Sequence, residues 1–203
     1  MRLLKPIVLA SKSPRRIALL KQIGIQPLVA PSHISEIFEP HRSASENAVT
    51  LALTKAREVA PQFSDAIIVG ADTIVVVDGD FIAKPEDEAD AKRMLRLLSG
   101  RTHTVVTGFA LVDSSSAEFV ADFESTEVTF RHLPDEEIDE YVAGGSPMDK
   151  AGAYGIQDDY GAVFVTRVKG CFYNVMGFPL AKFYTTLQKF QTHLPEQMYV
   201  EKN

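Results

Sequence analysis

The 203-residue chain has one cysteine and no tryptophan. A lone thiol, Cys171, excludes an intrachain disulfide and any zinc site built from several cysteines. It reads as a small packed side chain, and this cysteine usage fits a reducing compartment. Histidine is also sparse. The five residues 33, 41, 103, 132 and 193 are scattered, with no H-E-x-x-H and no i, i+4 pair, so most read as surface positions and a His-rich metal site is not expected. No apolar run approaches the ~20 residues that cross a bilayer. The run Ile7–Ala10 is too short for a signal core and leads straight into charged residues. A cytoplasmic protein with no membrane partner is expected. Basic excess is lacking too: 21 Lys and Arg face 27 Asp and Glu, a net charge of −6. That argues against a nucleic acid polymer as partner, because its phosphates demand a broad cationic surface. The chain contains neither a P-loop nor a G-x-G-x-x-G fingerprint after a strand, and Ser13 and Ser146 lack a nucleophile-elbow context.

What is present reads as one domain over residues 1–203, α/β in class, with a mixed, twisted central sheet flanked by helices. Strands are expected at Lys5–Ala10, Gln26–Ala30, Ala66–Val77, Thr102–Val112, Phe119–Phe130 and Ala162–Val168. The turn Asp78-Gly79 predicts a hairpin returning through Phe81-Ile82-Ala83. One antiparallel pair is expected in the middle of the chain. Helices are expected from Pro14 to Gly24 with Ser13 as cap, over Ser45–Ala60, from Pro85 to about Ser99, from Pro134 to Gly144, and over Leu180–Phe190. Pro31–Arg42 reads as a loop, and the tail after Pro195 as poorly ordered.

Four stretches carry candidate chemistry. In Ser11-Lys12-Ser13-Pro14-Arg15-Arg16 a strand runs into a helix N-terminus, whose unpaired N–H groups attract anions. Two arginines there oppose the helix dipole, which points to an anionic ligand rather than to helix stability. In Gly70-Ala71-Asp72-Thr73 a carboxylate lies on the most apolar strand, where it needs a strong partner, a metal or a proton-transfer duty. Lys84-Pro85 follows the hairpin, which can return the lysine toward Asp72 as a phosphate ligand. In Asp149-Lys150-Ala151-Gly152-Ala153-Tyr154-Gly155-Ile156-Gln157, glycines allow close backbone approach and Gln157 can both donate and accept at a base edge. Each stretch also has a plainer reading: a capped helix with solvated arginines, an Asp in a strand-end turn, an exposed lysine, a glycine loop.

Taken together, LASKSPRR, Lys55-Ala56, GADTIVVVDG, Lys84-Pro85, MLRLLSGRTHTVVTG, DKAGAYGIQ and NVMGFPL resemble the Maf family of nucleoside triphosphate pyrophosphatases, from Val8 to about Phe183. Their order and spacing carry the resemblance. It implies two lobes around a central cleft, often in a homodimer. The implied activity is hydrolysis of a nucleoside triphosphate to monophosphate and pyrophosphate with a divalent cation, Mg²⁺ or Mn²⁺, which serves in clearing the nucleotide pool. Asp72 is the implied catalytic carboxylate and metal ligand, with Lys84 beside it and Glu36 as a second metal ligand. Ser11, Arg15, Arg16 and Lys55 are the implied triphosphate ligands. Arg15, Thr73 and Gln157 are implied to choose the base. SPRR and YGIQ are similar to the branch acting on dTTP and UTP rather than to the one acting on 7-methyl-GTP. A further alternative is a nucleotide-binding regulator of cell division with little catalysis. One departure stands out: where the family continues Gly-x-Gly after YGIQ, this chain reads Asp158-Asp159-Tyr160-Gly161.

Overall fold

Residues 67–77 are apolar almost without interruption, and such a run is stable as a strand covered on both faces. In the computed structural model, which describes residues 3–157 and 159–193, it forms strand β3 (Ile67–Val77), with nine of its eleven residues buried. Around it lie β1 (Ile7–Leu9), β2 (Leu28–Val29), β4 (Asp80–Ile82), β5 (Thr102–Asp113), β6 (Phe119–Phe130) and β7 (Val165–Lys169). They make one mixed sheet in the order β2-β1-β3-β5-β6-β7, with β4 paired to β3 off this path. β1 runs parallel to β2 and to β3. The β3–β4, β3–β5, β5–β6 and β6–β7 pairs are all antiparallel, so antiparallel pairing extends beyond the expected hairpin and central pair.

The helices are α1 (Pro14–Gln22), α2 (Ala44–Val59), α3 (Glu88–Leu98), α4 (Asp135–Ala143), α5 (Asp159–Phe164), α6 (Phe172–Val175) and α7 (Leu180–His193). α2 opens with a reciprocal cap between Ser43 and Glu46. Its buried face carries Ala48, Leu51, Ala52, Lys55, Ala56 and Val59. This face lies directly on the sheet. A Cβ at Gly70 would sit 1.9 Å from the Ala52 carbonyl oxygen, and one at Gly108 would sit 2.4 Å from the Ala48 carbonyl carbon. Only glycine permits that approach, and it brings Lys55 down to β3. On the opposite face Phe109, Phe178 and Phe183 pack with Leu19 and Leu20.

Several local expectations are corrected. The helix expected from Pro85 begins at Glu88, because Asp87 is the capping residue and accepts the Asp90 N–H at 2.7 Å. The strand expected over Ala162–Val168 is helical through Phe164 and extended only from Val165, where pairing to β6 begins. Short apolar runs do not distinguish the two states by pattern alone. Ser13 occupies the cap position of α1, yet its side chain accepts no capping hydrogen bond. The second strand shrinks to Leu28–Val29. His103 is buried, not superficial: it sits on β5 with its ring edge-on to those of Phe130 and Tyr154. The short α6 was not anticipated; four residues are too few to show a period. The tail after Pro195 and Asp158 lie outside the described residues.

Candidate active site

The site originates in a gap along one edge of β3. Residues 67–69 pair with β1 and residues 75–77 with β4 on that edge, while β5 covers the other edge from 67 to 76. Among the described residues, positions 70–74 therefore have no strand beside them on one side. Side chains from both faces of β3 reach a single cavity there, Asp72 from the α2 face and Thr73 from the other. The cavity measures about 550 Å³, within the usual range for small-molecule sites.

On the α2 face, the ammonium of Lys55 donates to Asp72 Oδ1 at 2.5 Å and to Glu36 Oε1 at 2.6 Å. Lys84 Nζ donates to Glu36 Oε2 at 3.2 Å. Glu36 lies in the loop before α2, and that loop is pinned by Asn47, which accepts the Glu39 N–H and donates to the Glu39 carbonyl. Burial opposes ionisation of Glu36, but the Lys55 hydrogen bond and the Lys55 and Lys84 charges outweigh it and hold the carboxyl at about 2. Asp72 behaves oppositely. Deep burial raises it above the ordinary carboxylate range, although Lys55 and Arg16 pull the other way.

The two arginines part company. Arg16 is half-buried and turned into the gap. Its guanidinium donates to the carbonyls of Ala71 and Gly177 and to the hydroxyls of Ser11 and Thr73, at 2.9–3.2 Å. Four of its five N–H groups are thus directed at protein acceptors. It stands in for the missing neighbour strand, capping Ala71 of β3. Arg15 stays nearer the solvent and donates to Asp149 Oδ2 at 2.6 Å and to the Asp149 carbonyl at 3.1 Å. Lys150, which is buried, also donates to Asp149, at 2.8 Å. The following Gly152, at φ +74°, donates its N–H to the Ala83 carbonyl beside Lys84. This segment therefore ties the Arg15 end of the cavity to the Lys84 end.

All nine residues singled out from sequence, Ser11, Arg15, Arg16, Glu36, Lys55, Asp72, Thr73, Lys84 and Gln157, line this one cavity. Its lining combines the cationic side chains of Arg15, Arg16, Lys55 and Lys84 with the apolar ones of Val75, Val105, Met148, Val175 and Met176. Sequence reasoning assigned no role to Asp149 or Lys150, although both stand in a quoted block. It also missed the backbone acceptors of Arg16, which leave no trace in residue type. Lys55 did leave one: it is a charged residue in the apolar stripe of α2.

Several cations and apolar side chains around a buried carboxylate–ammonium pair suit a phosphorylated small molecule. Comparison with known sequences makes this specific. The chain belongs to the Maf family: the family described as Maf-like protein is matched over residues 6–190. A protein named dTTP/UTP pyrophosphatase from Caldicellulosiruptor saccharolyticus is 46% identical over 190 residues, covering 92% of this chain and 95% of that one. Those of the same name from Bacillus mycoides and Dictyoglomus turgidum are 44% and 45% identical, over 93% and 92% of this chain and 97% and 96% of their own. Among the described residues, no helix is long and apolar enough to cross a membrane.

Proposed function

We propose that the chain hydrolyses dTTP and UTP, and modified pyrimidine nucleotides of like shape, to the monophosphate and pyrophosphate, as a cytoplasmic guard of the nucleotide pool. The observation that carries this reading is Lys55 held between Asp72 and Glu36 inside a cavity lined by further cations and by apolar side chains. The relatives' shared name supplies the pyrimidine triphosphate.

Arg15, Lys84, Ser11 and the first-turn N–H groups of α1, which have no intrahelical acceptor, face the triphosphate. Arg16 supports them by holding Ser11 and Thr73 in place. Asp72 orients a water toward the α-phosphorus and takes its proton; burial makes it more basic than an ordinary Asp. Oxygen of that water bonds to phosphorus as the α–β bridging bond breaks, and pyrophosphate leaves with the bond's electron pair. Lys55, Lys84 and Arg15 offset the charge that spreads over the transferring group.

The donor set suits a divalent cation. Asp72 and Glu36 place hard carboxylate oxygens on one ammonium in the cavity, and Mg²⁺ is commonly held by one or two carboxylates together with substrate phosphates. Among the described residues no cluster of three acidic, His or Cys side chains is poised for a metal by itself, so we assign the remaining ligands to the nucleotide. Such a cation would neutralise charge on the phosphate oxygens.

The test is pyrophosphate release from a panel of canonical and modified nucleotides with and without Mg²⁺ or Mn²⁺. Release from dTTP and UTP that requires the cation is expected. Binding of these nucleotides without release from any of them would make the chain a nucleotide-binding regulator instead.

A further inference from the structure

The ammonium of Lys55 lies where two carboxylates converge. Asp72 Oδ1 accepts from it at 2.5 Å and Glu36 Oε1 at 2.6 Å. The other oxygen of Glu36 accepts from Lys84 at 3.2 Å. Two ammonium groups therefore balance two carboxylates. The oxygens best placed for a divalent cation are the ones that Lys55 already holds.

The two lysines differ in freedom. The side chain of Lys84 is 53% exposed and can swing into solvent. That of Lys55 is 8% exposed and belongs to the buried face of α2. The helix is seated on the sheet at Gly70 and Gly108, so the Lys55 ammonium can shift only within the cavity it lines. The surroundings add to its charge. Among the described residues, the cavity lining carries six Lys and Arg side chains and three carboxylates, Glu36, Asp72 and Asp149. Asp149 is itself engaged by Arg15 and Lys150. A bare divalent cation approaching Asp72 and Glu36 thus meets an ammonium that cannot leave, at short range and with little water to screen the repulsion. A triphosphate reverses this balance. Its oxygens supply negative charge to the cation and to Lys55 together.

We propose that Lys55 is an electrostatic interlock: it bars a bare divalent cation from Asp72 and Glu36, and yields these carboxylates to a cation that arrives with a triphosphate. The entering phosphate oxygens take up the ammonium, and the carboxylates are released to the metal. The site therefore loads the cation and the nucleotide together, not the cation first. By linkage the coupling is reciprocal, and the nucleotide strengthens cation binding by the factor by which the cation strengthens nucleotide binding. The inference rests on the donor set assigned above to Asp72 and Glu36, and deepens it.

The experiment measures Mn²⁺ binding, read from the loss of the free-ion spin-resonance signal. Without nucleotide, Lys55→Met should bind one Mn²⁺ about tenfold or more tighter than wild type. The double variant Lys55→Met, Glu36→Gln should lose that gain. Mn²⁺ should raise the thermal midpoint of Lys55→Met and leave that of the wild type unchanged. Wild type binding bare Mn²⁺ as tightly as folded Lys55→Met overturns the proposal. If Lys55→Met does not fold, the wild type decides, with α,β-methylene-UTP as a nucleotide that cannot be cleaved at that bond. Mn²⁺ bound as tightly without the analogue as with it overturns the interlock. Binding strengthened about tenfold by the analogue, beyond what the analogue binds alone, and weakened by Glu36→Gln, supports it. Should the analogue complex bind Mn²⁺ equally well in wild type, Glu36→Gln and Asp72→Asn, the donor-set reading fails and the interlock with it. Bare Mn²⁺ held tightly by the wild type through Glu36 sinks only the interlock.

Discussion

Lys55 and Asp72 meet at 2.5 Å across the interface of α2 and β3, and both are buried. The pair joins a helix, a strand and, through Glu36, a loop. It therefore bolts these three elements together, and in the proposed function it is also the chemical centre.

Lys55→Met should expose both aspects. Removing one partner of a buried pair leaves an uncompensated carboxylate and typically costs ~3–5 kcal/mol. Urea unfolding should show a midpoint shift of that order at neutral pH, together with loss of turnover. A variant as stable and active as wild type would mean that Lys55 serves neither purpose.

Asp72→Asn keeps the shape and removes both the charge and the proton acceptor. Turnover of UTP should fall by a factor on the order of 10²–10⁴, while nucleotide binding measured by calorimetry persists. Near-normal turnover would exclude Asp72 as the base.

Asp149→Asn tests the clamp on Arg15. The backbone carbonyl contact to Arg15 survives the change, while Arg15 and Lys150 both lose a charge partner. Both side chains are partly solvated, at 23% and 55% exposure, and such pairs contribute roughly 0–1 kcal/mol. The KM for UTP should shift by no more than about fivefold, with kcat nearly constant. A collapse of kcat would place Asp149 in the chemistry itself.

His103 should make the fold acid-sensitive. Its Nε2 lies 2.8 Å from the Tyr154 hydroxyl, and burial pushes the imidazole down to about 4 from 6.5. Between those values the unfolded chain binds a proton that the folded chain does not, so stability falls as pH drops through that window. The loss amounts to at most about 3 kcal/mol. Unfolding free energies at pH 7 and pH 4.5 should differ less in His103→Phe than in wild type. Identical acid slopes would remove His103 from the explanation.

Much of the site was legible because it is local. Ser11 to Arg16 form one turn between a strand and a helix, and Asp72 and Thr73 are neighbours on one strand. Arg15 and Arg16 show the limit of such reading. They are adjacent, identical in type and part of one motif, yet one faces the cavity mouth and the other fills a gap in the sheet. That division depends on where β1 stops along β3 and where β4 begins, a matter of strand length and register. Likewise, residues 162–164 read as the start of a strand and fold as the end of a helix, since only pairing partners separate the two states for a short apolar run.

The sequence by itself determined the alternation of strands and helices, the exclusion of an intrachain disulfide by the single Cys171, and the set of polar groups available to one site. Hydrophobic period and turn chemistry are short-range properties and are written in residue order. Tertiary structure alone decided the partnerships: Lys55 with Asp72 and Glu36, Arg15 with Asp149, and Arg16 with the edge of β3. These join residues up to 134 positions apart. Their energies depend on distance, direction and exclusion of water, none of which exists until α2 rests on Gly70 and Gly108 and the sheet closes around the gap.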